Sequence, residues 1–142
     1  MARLGTLSTG YVFDRRERLA VLVETLPMGS VVQHLTRLAR RHRTRIVAGL
    51  AECSGAHLYN SVVVGADGVC AHYRKRCLGT IDQRYFDRGD RIEIFEVSGL
   101  RVGLLICFDV WFPKLAREYL RAGIDLFERI ADFSTESGQG DS

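Results

Sequence analysis

Cys107 closes the run Gly103-Leu104-Leu105-Ile106 and is followed by Phe108-Asp109-Val110-Trp111-Phe112-Pro113, where a helix can begin. A thiol at the end of a buried strand is held in a fixed position. The positive end of a nearby helix dipole favours thiolate over thiol, and the chemistry of such a thiolate is nucleophilic attack. A free cysteine also packs well as a small hydrophobe, so position alone leaves a structural role open. A second stretch with chemical potential lies upstream. It runs Tyr73-Arg74-Lys75-Arg76-Cys77-Leu78 and continues after a short gap as Asp82-Gln83-Arg84-Tyr85-Phe86-Asp87-Arg88-Gly89-Asp90. Taken alone, a lysine in a basic stretch belongs on the surface.

The elements that must position these residues read as an α/β pattern. Residues 30–43 have the clearest helical periodicity. Val31, Val32, Leu35, Leu38, Ala39 and His42 fall on one face, with Ser30 as a cap and Gln33 completing a capping box. An earlier segment, about 14–26, has a weaker helical pattern. Strands are predicted over 45–51, 58–64 and 69–74, the last two joined by the turn Gly65-Ala66-Asp67-Gly68. A second pair is predicted over 92–97 and 101–106. Pro113 suits the first turn of a helix that runs to about Ala122, with Leu115, Ala116, Tyr119 and Leu120 inward and Gly123 ending it. A further strand starts at 124–127. The strands are nearly continuous apolar runs, which predicts sheets covered on both faces. Lys75 then falls at or just past a strand end.

The chain has 142 residues, of which 46% are hydrophobic and 26% charged, with a formal net charge of +3. That balance fits one soluble domain, placed at 1–133, with a polar Gly/Ser-rich tail at 134–142 that is expected to be disordered. No apolar run is long enough to cross a bilayer, and no signal-peptide pattern opens the chain. The basic cluster from Arg37 to Arg45 lacks aromatic interleaving and reads as a solvated helix face, so no nucleic-acid partner is expected. Cys53, Cys70, Cys77 and Cys107 form no C-x-x-C pair, and the histidines have no zinc-ligand spacing. Reduced thiols in a cytoplasmic protein, without metal or other cofactor, follow as the expectation.

Together these segments resemble the nitrilase, or carbon–nitrogen hydrolase, superfamily. The residues that carry the resemblance are Ala48-Gly49-Leu50-Ala51-Glu52, Leu58-Tyr59-Asn60-Ser61, Gly68, Tyr73-Arg74-Lys75 with Leu78, and Arg84-Tyr85-Phe86 with Gly89-Asp90. They continue with Gly103 to Asp109, Phe112-Pro113 and Ala122-Gly123-Ile124-Asp125-Leu126, in register over about 45–127. The resemblance implies an α-β-β-α sandwich and a Cys-Glu-Lys triad acting on a small amide, carbamoyl compound or nitrile. In that scheme Cys107 is the nucleophile that forms a thioester. Lys75 stabilises the oxyanion, and the backbone N–H of Phe108 is a second donor. Asp82, or Gln83 if the register shifts by one, occupies the place of a supporting acid. Glu52 matches a family position and is expected at the site edge or in a structural role.

The chain departs from the family pattern in two regions. Where the triad glutamate belongs, Gly5-Thr6-Leu7-Ser8-Thr9-Gly10-Tyr11 offers Gly5 or Thr6, and the first family strand, which delivers that glutamate, is not recognisable. After Leu126 the likeness fades. The expectation is therefore an incomplete nitrilase-like sandwich that self-associates as a homo-oligomer to cover apolar faces. Two functions stay open: a hydrolase, or a catalytically inactive remnant or interaction module of the same fold.

Overall fold

The computed structural model describes residues 1–4 and 22–131, so part of the earlier helical segment and the tail lie outside the described residues. One sheet contains β1 (Ala2–Leu4), β2 (Ile46–Ser54), β3 (His57–Ala66) and β4 (Gly68–Arg74) in that spatial order. β1 is parallel to β2, and the other neighbours are antiparallel. The other sheet places β6 (Leu100–Ile106) between antiparallel β5 (Ile94–Val97) and parallel β7 (Leu126–Ile130). Helices α1 (Ser30–Arg41) and α2 (Pro113–Arg121) complete the set.

Side-chain alternation decides the layers. Val47, Val62, Val64, Ala71 and Tyr73 of the first sheet form one buried cluster with Phe95, Val102, Leu104, Ile106 and Ile130 of the second. The intervening residues Ile46, Ala48, Leu50 and Val63 pack on Val32, Leu35 and Ala39 of α1. On the far side, Leu105 packs against Leu115 and Tyr119 of α2. The order is helix, sheet, sheet, helix, as the resemblance implies. Each fully buried aliphatic side chain favours it by roughly 1.5–3 kcal/mol.

Several local expectations are corrected. Residues 22–26 are not helical: Glu24 bridges to the β2 edge, its N–H reaching Ala51 O at 2.8 Å and its carbonyl accepting Cys53 N–H at 2.8 Å. Ser30 does not cap α1. Gly29 holds the cap position, and Glu24 accepts Val31 N–H at 3.2 Å, while Gln33 donates to Met28 O at 3.0 Å. Only glycine lets Glu24 come so close, since a Cβ at position 29 would lie 1.8 Å from its Oε2. Val31 and His42 are exposed, as is Leu120, at 61%. Ala2–Leu4 forms a strand where the sequence offered none, because three residues are too few for alternation to be read. The β3–β4 turn is tighter than expected, with Asp67 alone between paired Ala66 and Gly68, and Cys70 is the extra residue of a bulge.

Gly103 sets how closely α2 approaches β6. A Cβ there would lie 2.7 Å from the Tyr119 ring, whose hydroxyl donates to Leu104 O and accepts Glu93 N–H at 3.2 Å. Gly103→Ala is expected to destabilise the chain by about 1–3 kcal/mol, read as a lower urea midpoint at unchanged slope. An unchanged midpoint would show that α2 is not held at this distance.

Candidate active site

Lys75 directly follows β4, and its N–H extends the sheet ladder to Asn60 O at 2.8 Å. Its side chain is only 3% exposed. A buried ammonium needs a partner, and Lys75 Nζ donates to Asp82 Oδ2. Asn60 Nδ2 donates to the other oxygen of Asp82 at 3.4 Å. Asp82 opens a short 3-10 turn, Asp82–Arg84, whose first carbonyl accepts the N–H groups of Tyr85 and Phe86. Phe86 buries against Ala51 and Leu58. The loop is fastened twice more: Asp87 N–H donates to Leu58 O at 2.7 Å, and Gly89 N–H donates to Lys75 O at 2.9 Å. Glycine is needed at 89, where a Cβ would lie 2.1 Å from Arg74 O. Of the two residues that the sequence left open for this place, Asp82 is the buried one and Gln83 is exposed.

Cys107 directly follows β6 and begins a second 3-10 turn, Cys107–Trp111, that leads into α2. Its φ is 43°, a left-handed value that is uncommon for a non-glycine residue. The thiol is partly buried and packs against the cluster between the sheets. Phe108 follows it in the same turn. Asp109, which the sequence reading included in the resemblance without a role, is 1% exposed. Its carboxylate accepts Ile106 N–H at 2.9 Å, Tyr73 O–H at 2.9 Å and Cys77 N–H at 2.8 Å. The Cys107 turn is thereby hydrogen-bonded to the stretch that carries Lys75. Burial pushes the Asp109 carboxyl up against the opposing effect of these donors and of Lys75.

Glu52 stands elsewhere. By strand register it points to the α1 side of the first sheet, where it is 2% exposed. It accepts Ser61 O–H at 2.6 Å, pairs with His72 Nε2 at 2.8 Å, and accepts Arg74 Nη2 at 2.6 Å and Nε at 3.0 Å. Arg74 in turn lies 4.0 Å above the Tyr59 ring. Burial alone would raise the Glu52 carboxyl, but the bonds from His72, Arg74 and Ser61 outweigh it and hold the group at about 2.

An open cleft of about 790 Å³ adjoins the site, lined in part by Arg76, Cys77, Gln83, Arg88, Phe108 and Phe112. Cys107, Lys75 and Asp82 are not among its lining residues. Two of the lining residues, Phe108 and Phe112, stack edge to face at 5.2 Å, and Trp111 of the same turn is 74% exposed. Among the described residues no group of three or more His, Cys, Asp or Glu is placed to hold a metal, and no helix is long and apolar enough to cross a membrane. Positions 5 and 6, which stand where the resemblance puts the glutamate, lie outside the described residues.

The layer order, with a cysteine at the end of a central strand, defines a nitrilase-like sandwich. Saccharomyces cerevisiae Nit3, a member of branch 10 of the nitrilase superfamily, superposes with a TM-score of 0.80 at 20% identity, over 94% of this chain and 51% of its own. The chain belongs to the carbon–nitrogen hydrolase family, whose profile matches residues 7–140. A nitrilase of Pyrococcus abyssi is 38% identical over 126 residues, 87% of this chain and 48% of its own length. An (R)-stereoselective amidase of a Pseudomonas species is 34% identical over 77% of this chain and 40% of its own. The chain thus spans about half the length of the relatives it matches, or less.

The Glu52 cluster gives a pH dependence. A carboxyl held below its ordinary 4.5 in the folded chain contributes stability that is complete above that value and is lost as pH falls toward about 2. The loss is on the order of 3 kcal/mol. Urea unfolding across this window should show it, and Glu52→Gln should flatten the slope. An equal slope in both proteins would exclude Glu52 as the source.

Proposed function

We propose that this chain cleaves a non-peptide carbon–nitrogen bond of a small amide, carbamoyl compound or nitrile through Cys107. The observation that carries the reading is the joint placement of a buried Lys75–Asp82 pair and a strained Cys107, with one carboxylate bonded to both segments. The nitrilase and amidase named among its relatives support the substrate class.

For an amide, the Cys107 sulfur attacks the carbonyl carbon, and the C=O electron pair moves to oxygen. The Lys75 ammonium and the Phe108 N–H stabilise the oxyanion. Collapse breaks the C–N bond, and the proton given up by the Cys107 thiol on attack, carried by water, leaves with the nitrogen as ammonia, so that a thioester remains on Cys107. Water then attacks the thioester, frees the carboxylic acid and returns the thiol. Asp82, hydrogen-bonded to Lys75 Nζ, fixes the direction of that side chain beside the oxyanion. The reading includes self-association, supported by the exposed apolar turn of Phe108, Val110, Trp111 and Phe112.

Per-cysteine mass spectrometry of iodoacetamide labelling at neutral pH tests the nucleophile. Cys107 should label first. Cys77 should be slow, because burial and the Asp109 charge push its thiol up to about 11, and burial raises Cys70 as well. Equal labelling of all four would remove Cys107 from this role. Ammonia release from simple amides tests turnover. With Gly5 or Thr6 in the position of the base, release should fall about 10²–10⁴-fold below that of a complete acid–base set. Release that persists in Cys107→Ala would exclude the thioester route.

A further inference from the structure

We infer that Asp109 is the positioning residue of this site, the group that fixes where the Lys75 segment stands relative to the Cys107 turn. This rests on the reading of Cys107 as the nucleophile. The two segments come from different sheets. Lys75 follows β4 and Cys107 follows β6, and Asp109 supplies hydrogen bonds that join them. Oδ1 accepts the N–H of Cys77, two residues beyond Lys75. Oδ2 accepts the N–H of Ile106, the residue before Cys107, together with the hydroxyl of Tyr73, two residues before Lys75. A buried carboxylate with donors on both oxygens is held in one orientation, so its bonds transmit position. The bond to Ile106 N–H sits immediately before the left-handed turn at Cys107. The other two bracket Lys75. Arg76 Nη1 adds a tie to Glu118 of α2 at 2.7 Å, but that pair is partly exposed and leaves the turn itself untouched. Asp109 touches no reacting atom in this scheme. It acts through the residues that do.

Its two oxygens do different work, and that makes the inference testable. The side chain in Asp109→Asn has one acceptor oxygen. It serves best between Ile106 N–H and Tyr73 O–H, which share Oδ2 in the unmutated chain, and this turns its NH₂ against the Cys77 N–H. The substitution should therefore detach the Lys75 segment while leaving the nucleophile turn formed. In hydrogen exchange, the Cys77 amide should open about tenfold faster or more, with Ile106 within a few-fold of its original rate. The labelling of Cys107 relative to Cys70 should fall by about tenfold. Glu52→Gln, on the opposite face of the first sheet, should lower stability without moving that ratio, which separates positioning from a merely structural role. A freed Cys77 amide with an unchanged ratio would overturn the inference, and so would a Cys77 amide that stays protected. If Asp109→Asn does not fold, the unmutated chain still decides: the Ile106 and Cys77 amides should open together with the same urea dependence, and unequal dependence would overturn the shared tie. Absence of any Cys107 preference in the unmutated chain would instead remove the nucleophile reading, and amide exchange alone would then judge the tie.

Discussion

An ammonium group cannot stay dry without a counter-charge, and the burial of Lys75 therefore organises the middle of this chain. Asp82 must be brought to it across a stretch with no regular secondary structure, so that stretch is fastened to the sheet at Leu58, at Lys75 itself and through the buried ring of Phe86. An irregular loop with so many ties behaves as part of the scaffold. A buried ion pair is weak evidence for stability, because desolvation offsets most of the attraction. Its physical consequence here is positional: the Lys75 side chain is held at one place by Asp82.

Arg74 and Lys75 show how alternation divides charge between the two sides of a sheet. They are neighbours in sequence, yet Arg74 clamps Glu52 on the α1 side while Lys75 meets Asp82 with Asn60, whose strand neighbour Val62 lies in the inter-sheet core. The guanidinium suits its side. Its planar fork takes both oxygens of Glu52, and its face stacks on Tyr59. The ammonium suits the other, as a compact charge with donors to spare. Glu52 and the Lys75 pair thus belong to separate clusters with the sheet between them, which is why a carboxylate that matches a family position holds the fold instead of facing the thiol.

The features readable from the sequence were those set by local pattern. Runs such as Arg45–Ala51 and Leu58–Val64 announce strands, and Pro113 and Gly123 bracket α2 because each acts on its own backbone. The features that escaped depend on partners far apart in the chain. Ser30 looks like a cap until Gly29 is seen to hold that position, with Glu24 accepting Val31 N–H through the space at the glycine. Leu120 completes a helical stripe, but the second sheet reaches only as far as Leu115 and Tyr119. Lys75 and Cys107 acquired roles through resemblance, since nothing in the spacing of residues 75 and 107 announces that the chain just past β4 and the end of β6 bond to one carboxylate. Asp109 went without a role because its three donors come from residues 73, 77 and 106, and no periodicity links them.

The backbone at Cys107 follows from the same alternation. Along β6, Leu104 and Ile106 face the other sheet and Leu105 faces α2. A residue 107 that continued the extended strand would point with Leu105, into the α2 layer and away from Lys75. A left-handed φ breaks the alternation, and the thiol packs against the inner cluster instead. Such a conformation costs a non-glycine residue about 1–3 kcal/mol. Glycine would remove the strain and the sulfur together. A cysteine kept in a conformation better suited to glycine, next to a carboxylate that pins the preceding amide, indicates that the direction of the sulfur is what the turn is built to fix.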